Sequence, residues 1–318
     1  MSERILKIVF VLSLLIVLSL TGVFTSLEIS KKVDSNEVNF NKFSKAKIDE
    51  KAQLVSNLNI IEDISTSSEK VVETKIVIPE IKKKVEGPTI LLLSDLELDT
   101  NIKQFEAAKK WPIASITKLI TAKIALDDIP VEAEIIFSKK AIETEGSFIP
   151  FIEGEKYSRD DVLRALLMSS NNDAAVALSE YIGEELFISK MNVFIANIGL
   201  IDTHFDDVSG LSVRNVSTAN DLKSIAREIY FNDPIIFEIT RLGTTTIREI
   251  NSGRELNILN INQFSKSLDF MGGKTGYILE SGQNLLAVFI RNNRLILSIV
   301  LNTEDRFKET EKLLNYIK

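Results

Sequence analysis

The chain contains 318 residues, of which 45% are hydrophobic and 26% charged, so most of it can bury a core. Its net charge of −7, from 38 basic and 45 acidic residues, argues against a general nucleic-acid binder, because it provides no basic surface for phosphates. The chain has no cysteine and one histidine, His204, which excludes disulfides, Cys-ligated metals and zinc sites that need several imidazoles.

An apolar segment near the N-terminus, residues 8–24, predicts a membrane helix. It carries no charge, and Arg4 and Lys7 precede it. As a helix it would span roughly 25 Å, and the residues that follow extend this to about the 30 Å hydrocarbon thickness. We expect residues 1–26 to form a cytoplasmic tip and a signal-anchor in the cell membrane, with the rest of the chain outside the cytoplasm. A cleaved signal peptide is the alternative, but no Ala-x-Ala-like site follows the apolar segment.

Residues 27–87 predict a stalk or linker. This segment is rich in Lys, Glu, Ser and Asn, and its acidic and basic residues are equal in number. Such a composition buries too little apolar surface to form a core of its own. We expect it to act as a tether for the domain that follows.

Residues 88–318 predict one α+β domain. The predicted elements, in chain order, are a strand over 89–93, a helix over 111–126 that starts near Pro112, a capping box at 158–161 that opens a helix over 162–168, a helix over 172–182 that ends at Gly183, strands over 285–290 and 295–301, and a closing helix over 304–318. Asn292 and Asn293 between the last two strands indicate a hairpin, because Asn tolerates positive φ. Strands at both ends with helices between them predict an antiparallel sheet flanked by helices and joined to a helical lobe.

The first candidate motif is Ser115 with Lys118. Three residues apart on a helix, the two side chains share one face. A neutral lysine amine can accept the serine proton, provided that burial or a nearby cation lowers its pKa. The same spacing occurs in the linker at 44–47 and 67–70, where a surface Ser and Lys is the simpler interpretation. The pair at 115 differs because it opens an apolar helix, whose N-terminal N–H groups favour negative charge.

The second motif is Ser170 with Asn172, in a predicted connection between two helices. The serine hydroxyl could relay a proton, and the Asn172 amide could hold Lys118 and a substrate carbonyl. Helix capping, which Ser and Asn commonly perform, is the alternative.

The third motif is Lys274-Thr275-Gly276, preceded by two glycines. Glycines allow another chain to lie close alongside a strand, and a lysine ammonium with a threonine hydroxyl suits a substrate carboxylate. A glycine-rich bend in an edge strand is the alternative. The phosphate-loop pattern is not met.

In this order the three motifs resemble those of the penicillin-recognising Ser–Lys acyl enzymes. The chain most resembles the D-alanyl-D-alanine carboxypeptidases of the low-molecular-mass penicillin-binding proteins, the S11 serine peptidase family. Further stretches that carry the resemblance are 112–119, 172–175, 203–205, 209–211 and 217–222. The resemblance covers roughly residues 89–302 and implies a β-lactamase/transpeptidase-like fold.

The resemblance implies a carboxypeptidase that trims the terminal D-Ala of peptidoglycan stem peptides. Ser115 would attack the carbonyl between two D-Ala residues, Lys118 would be the general base, and Ser170 would shuttle a proton. Penicillins and other β-lactams would acylate Ser115 covalently. The scheme needs no metal and no cofactor, and it leaves His204 a structural role.

The resemblance also implies a substrate-binding set: Asn172, Lys274, Thr275, Gly276 and the backbone of Tyr277. Asn172 would orient the general base and the substrate. Lys274 and Thr275 would hold the terminal carboxylate, and the Lys274 charge would help to lower the pKa of the general base. The backbone N–H groups of the nucleophile and of Tyr277 would form the oxyanion hole.

Three alternatives stay open at this point. A D,D-endopeptidase acting on wall crosslinks has the same motifs. A β-lactamase on the same fold is disfavoured, because no Glu-x-x-Leu-Asn element lies between Ser170 and Lys274. A catalytically inactive wall-binding protein is disfavoured because every motif residue is present. The chain departs from many family members at Ile278, where they carry threonine.

Overall fold

The structure is a computed structural model that describes residues 87–317. The predicted signal-anchor over 1–26 and the predicted linker, apart from Gly87, lie outside these residues. Within 87–317, no helix has the length and apolar character needed to cross a membrane.

Strands open and close the described part of the chain. The strands are β1 (Ile90–Asp95), β2 (Thr100–Phe105), β3 (Trp111–Pro112), β4 (Glu134–Ile136), β5 (Lys156–Ser158), β6 (Val216–Ser217), β7 (Thr244–Arg248), β8 (Glu255–Leu259), β9 (Phe270–Ile278), β10 (Gly282–Arg291) and β11 (Arg294–Thr303). Five of them form an antiparallel sheet in the order β2-β1-β11-β10-β9, so β9 lies at one edge.

Seven α-helices of the described residues lie between β3 and β9. They are α1 (Lys118–Asp128), α2 (Lys139–Ile142), α3 (Arg159–Met168), α4 (Asn172–Ile182), α5 (Glu184–Asn197), α6 (Ala219–Asn232) and α7 (Ile235–Arg241), and α8 (Arg306–Leu314) follows β11. Short 3₁₀ turns lie at Ala114–Thr117 and Gln263–Lys266. The prediction of an antiparallel sheet flanked by helices is confirmed.

The central sheet is covered on both faces. Alternate residues of β10 point to opposite sides, so Leu286 and Val288 join the larger core with α6 and α7, whereas Leu285 and Phe289 join a smaller core under α8. Burying one such side chain stabilises the fold by roughly 1.5–3 kcal/mol. The two cores therefore hold the sheet, and with it the edge strand β9, as a rigid support.

A helical lobe packs around α1. This helix is buried on most of its surface and contacts α3, α4 and α5. A helix that is apolar on nearly all sides belongs in an interior. Lys118 is the first residue of this buried helix, and its side chain is buried as well.

Local signals predict several element ends correctly. Helix α4 spans Asn172–Ile182 as predicted, and Gly183 follows it at φ +91°. The predicted capping box is present, since the Ser158 side chain accepts the Asp161 N–H, but α3 begins at Arg159 and not at 162, because the residues inside the box already form its first turn. The predicted hairpin is present, with Asn292 and Asn293 at φ +50° and +58°.

The predicted helix start near Pro112 is wrong. Trp111 and Pro112 form a short strand that pairs with β6, and α1 begins only at Lys118. The cause is long-range: the Trp111 indole donates to the Ser281 carbonyl at 2.9 Å, and the Pro112 carbonyl accepts from the Asn284 amide at 3.0 Å. These bonds hold the chain extended until the 3₁₀ turn that carries Ser115.

Candidate active site

Ser115 and Lys118 lie at the junction between the 3₁₀ turn and α1. Ala114, just before the serine, has φ +49°, a left-handed conformation that non-glycine residues rarely adopt. The Lys118 Nζ and Ser115 Oγ atoms are 3.0 Å apart, and the lysine is fully buried. Hydrogen-bond reach between the two is the first requirement for a nucleophile and its base.

The other contacts of Lys118 leave its amine well placed to accept a proton. Nζ donates to the Asn172 Oδ1 at 2.6 Å and to the Ser209 carbonyl at 2.6 Å. A neutral amine has two N–H groups, which these acceptors use, so its lone pair faces the Ser115 hydroxyl. Burial lowers the pKa of Lys118 to about 7, and the negative charge of Asp207 partly opposes that shift.

Asn172 is held by a loop of the helical lobe. Its amide nitrogen donates to the Glu145 carbonyl at 2.6 Å, which turns the amide oxygen toward Lys118. Its backbone N–H donates to the Ser147 hydroxyl at 3.1 Å. The neighbouring Asn171 caps α4 through the Ala174 N–H. Capping and amide placement are thus divided between two adjacent asparagines.

Ser170 and Lys274 form a second hydrogen-bonded group. Ser170 has φ +59°, and its hydroxyl accepts from Lys274 Nζ at 2.8 Å. Lys274 also donates to the Thr275 carbonyl at 2.9 Å and is buried. Burial, followed by the charges of Lys118 and Arg306, lowers the pKa of Lys274 well below its ordinary value. We expected the Lys274 charge to lower the pKa of Lys118, but burial is the main cause there.

The edge strand β9 lies directly against the turn that carries the serine. A Cβ atom on Gly276 would lie 2.6 Å from the Ile113 carbonyl oxygen and 3.2 Å from the Ser115 nitrogen, so only glycine permits this approach. The approach brings the backbone that leads into Tyr277 next to the Ser115 backbone. The Thr275 side chain is buried in the same strand, whereas the Tyr277 side chain is 56% exposed.

The structure therefore brings the predicted residues into one neighbourhood. Two hydrogen-bonded groups, Ser115–Lys118–Asn172 and Ser170–Lys274, are joined through the connection between α3 and α4. His204 lies apart from both groups: its side chain is exposed, and its backbone pairs with Val216.

Two contributors were not predicted from the sequence. Arg306, at the start of α8, donates to the Gly276 carbonyl at 2.8 Å and to the Gln283 side chain at 3.0 Å, and burial lowers its pKa to about 10. A cation in the first turn of a helix opposes the helix dipole, which is the signal that could have identified it. The Ser209 carbonyl is the other. Residues 209–211 carry part of the family resemblance but were given no role, because a backbone group leaves no residue-type signal.

The comparisons with known proteins agree with the geometry. Residues 91–305 match the family model described as D-alanyl-D-alanine carboxypeptidase. The D-alanyl-D-alanine carboxypeptidase DacD of Salmonella typhimurium is 30% identical over 220 residues, which cover 64% of this chain and 55% of DacD. The D-alanyl-D-alanine endopeptidase of Haemophilus influenzae is 36% identical over 192 residues, which cover 58% of this chain and 63% of that protein. The chain thus spans little more than half the length of DacD.

Solved structures show the same fold. A mutant of the Streptomyces K15 DD-transpeptidase superposes with a TM-score of 0.66 at 26% identity, covering 71% of this chain and 96% of the transpeptidase. A D-alanyl-D-alanine carboxypeptidase from Mycobacterium tuberculosis superposes with a TM-score of 0.67 at 24% identity, covering 74% and 92% of the two chains. Since the family model matches most of the chain and the fold agrees, the chain belongs to the D-alanyl-D-alanine carboxypeptidase family, the S11 serine peptidases.

Proposed function

We propose that the chain is a serine-type D-Ala-D-Ala carboxypeptidase that removes the terminal D-Ala from peptidoglycan stem peptides outside the cytoplasm. One observation carries the proposal: the buried Lys118 amine lies 3.0 Å from the Ser115 hydroxyl, and its pKa is lowered to about 7. A lysine with that pKa is a base at neutral pH, which an exposed lysine is not.

The acylation step uses the residues of the site as follows. Ser115 Oγ attacks the carbonyl carbon of the penultimate D-Ala while its proton passes to Lys118 Nζ. The backbone N–H groups of Ser115 and Tyr277 stabilise the oxyanion, a contribution worth about 3 kcal/mol per donor in comparable sites. The C–N bond then breaks, and Ser170 delivers a proton to the departing D-Ala amine. The Lys118 ammonium replaces the Ser170 proton, so Lys118 returns to its neutral form before the second half of the reaction.

Substrate binding relies on the edge strand. Lys274 and Thr275 hold the terminal carboxylate of the stem peptide, and that negative charge offsets the repulsion between the two buried lysines. Asn172 orients Lys118 and the substrate amide. Water then attacks the ester carbonyl while Lys118 takes one of its protons. The bond to Ser115 Oγ breaks, Lys118 returns the proton to that oxygen, and the shortened peptide leaves.

The test is covalent trapping by a penicillin. We expect the intact mass of the full chain to increase by one penicillin after incubation. The increase should disappear in Ser115→Ala and persist in Ser67→Ala, which removes the serine of a linker Ser-x-x-Lys. An unlabelled wild-type protein, or a labelled Ser115→Ala, would contradict the proposal. Rapid turnover of a chromogenic β-lactam in place of a stable adduct would indicate a β-lactamase.

A second candidate is a D,D-endopeptidase that cuts wall crosslinks. It is favoured by the relative from Haemophilus influenzae, which is 36% identical and named D-alanyl-D-alanine endopeptidase. Incubation with a stem pentapeptide and with a crosslinked peptide dimer separates the two. Release of free D-Ala from the pentapeptide alone supports the carboxypeptidase, and cleavage of the dimer supports the endopeptidase.

A further inference from the structure

A loop at residues 206–212 places a backbone carbonyl against the Ser115–Lys118 pair. The Ser209 carbonyl accepts from Lys118 Nζ at 2.6 Å and lies 3.4 Å from Ser115 Oγ. The next residue, Gly210, has φ +86°, and a Cβ there would lie 2.1 Å from the Ala114 carbonyl oxygen. The loop therefore lies in direct contact with the 3₁₀ turn, and together with Asn172 it orients the Lys118 amine.

One carboxylate, Asp207, holds this loop. It accepts the backbone N–H groups of Ser209 at 2.6 Å, of Gly210 at 2.5 Å and of Ser212 at 2.5 Å, and it also accepts the Ser209 hydroxyl at 2.9 Å. All four donors are uncharged, so they orient the carboxylate without cancelling its negative charge. Such short-range Asp-to-backbone bonds are the usual means by which Asp shapes a turn.

Asn215 fastens the same loop to the turn that carries the serine. Its side-chain oxygen accepts the N–H groups of Asp206 at 2.8 Å and of Asp207 at 3.1 Å. Its side-chain nitrogen donates to the Thr117 hydroxyl at 3.1 Å, and both Asn215 and Thr117 are fully buried. Movement of Asp207 relative to Lys118 is therefore restricted from two sides.

The charge of Asp207 also acts on Lys118. It raises the pKa of that lysine against the larger effect of burial. Two further titratable groups belong to the neighbouring elements. Lys274 of β9 has its pKa lowered by burial and by the charge of Lys118, and Asp173, next to Asn172 in α4, is a buried carboxyl whose pKa burial raises to about 6. Ser115 and Asn172 are neutral partners. When Lys118 takes the proton of Ser115 it becomes an ammonium, and a nearby carboxylate stabilises that product.

We propose that Asp207 is a positioning residue for acylation: it fixes the Ser209 carbonyl against the Lys118 amine and stabilises the ammonium that forms when Ser115 gives up its proton. This inference rests on the proposed function. It assigns a role to a residue whose carboxylate accepts hydrogen bonds from its own loop and not from Ser115.

The test compares the pH dependence of penicillin acylation between pH 5 and 9 in wild type, Asp207→Asn, Asp207→Glu and Asp206→Asn. Without the negative charge, nothing opposes the lowering of the Lys118 pKa by burial. The midpoint of the pH–rate profile of Asp207→Asn should therefore move to lower pH by about 0.5–1 unit, at the low end of charge effects. Its plateau rate should also fall, because the ammonium product loses a stabilising charge. Asp207→Glu keeps the charge and should keep the wild-type midpoint.

Asp206 provides the matched control. It lies one residue away in the same loop, and its carboxylate accepts from the Ser212 hydroxyl at 2.9 Å and pairs with Arg214 at 2.7 Å. Asp206→Asn should leave the acylation midpoint unchanged. If Asp207→Asn fails to fold by circular dichroism, Asp207→Ser provides a second neutral variant, whose hydroxyl can still accept one N–H.

An unchanged or higher midpoint in the neutral variant would overturn the inference, even if the rate falls, because a purely structural role lowers the rate without moving the midpoint. A midpoint in Asp207→Glu that moves like that of Asp207→Asn would overturn it as well. If wild type itself forms no adduct, the proposed function fails first, so the two failures are distinguishable.

Discussion

In the proposed mechanism, Lys118 has to be buried and yet remain able to accept and release a proton. Burial disfavours its charged form and brings the pKa to about 7. The unfolded chain exposes the same amine, whose pKa is then near its ordinary value of about 10.4. Between these two values the unfolded state binds more protons than the folded state. The contribution of this residue to stability is therefore least favourable below about pH 7 and improves as the pH rises toward the unfolded value.

Lys118→Met tests this at the scale of one residue. Acylation by penicillin should fall by about 10²–10⁴-fold, the usual contribution of a general base. The free energy of unfolding, measured with urea at pH 6 and pH 9, should rise less with pH in the variant than in wild type. Lys123 on the same helix is the control, because the effect of its burial is outweighed by ion pairs with Asp127 and Asp233, which raise its pKa. Lys123→Met should retain the wild-type rise. An equal rise in Lys118→Met would contradict the assignment.

Among the contacts between elements, the site depends most on the one between strand β9 and the 3₁₀ turn. The hairpin of β10 and β11 fixes β9 from one side, and Gly276 lets its other side approach Ser115. Both proposed oxyanion donors belong to this contact. A displacement of about 1 Å between the reacting groups can cost roughly 100-fold in rate.

Gly276→Ala should therefore reduce the acylation rate by about 100-fold, because its methyl group would displace β9 from the Ile113 carbonyl. Gly243→Ala is the matched control. Gly243 also has a φ that alanine accepts, and the nearest atom to its added Cβ would be the Ser265 oxygen at 4.0 Å. The control should keep the wild-type rate to within about twofold, since it makes only an ordinary contact. Equal rates in both variants would contradict a role for the close approach.

Element prediction from sequence succeeded where the determinants are local. Asn292 and Asn293 specify their turn by themselves, and Gly183 ends α4 at the next peptide. The start of α1 was predicted too early, because bonds from Trp111 to the Ser281 carbonyl and from Asn284 to the Pro112 carbonyl join positions far apart in the chain.

For the site, too, local features were predicted and long-range contacts were not. The side-chain motifs could be identified because each one is short and has a fixed spacing. Arg306 and the Ser209 carbonyl were not identified, since one donates to Gly276 from a different element and the other is a backbone group. Neither effect follows from residue spacing within a motif.

At the scale of the whole molecule, the proposal joins the described domain to a predicted anchor at residues 8–24. A peptidase that acts on wall peptides must face the wall, and an apolar N-terminal segment preceded by basic residues predicts that orientation. Residues 27–87 would then separate the domain from the membrane, over a distance of about 45 Å for a flexible chain of that length.

Charges placed in the apolar segment test the anchor in the full chain. Leu14→Arg combined with Leu18→Arg should move the protein from the membrane pellet to the supernatant, because each arginine near the centre of a span costs roughly 2.5–3.5 kcal/mol. Ala46→Arg, a charge of the same kind in the predicted linker, should leave the protein in the pellet. A double variant that stays in a salt-washed pellet would contradict the anchor.

The most direct test of the whole account is to locate the penicillin adduct by peptide mapping while following its rate of formation against pH. The account predicts a single acylated residue, Ser115, and a rate that rises with pH through a midpoint near 7, where Lys118 loses its charge. An adduct on another serine, or a rate that does not change between pH 5 and 9, would contradict it.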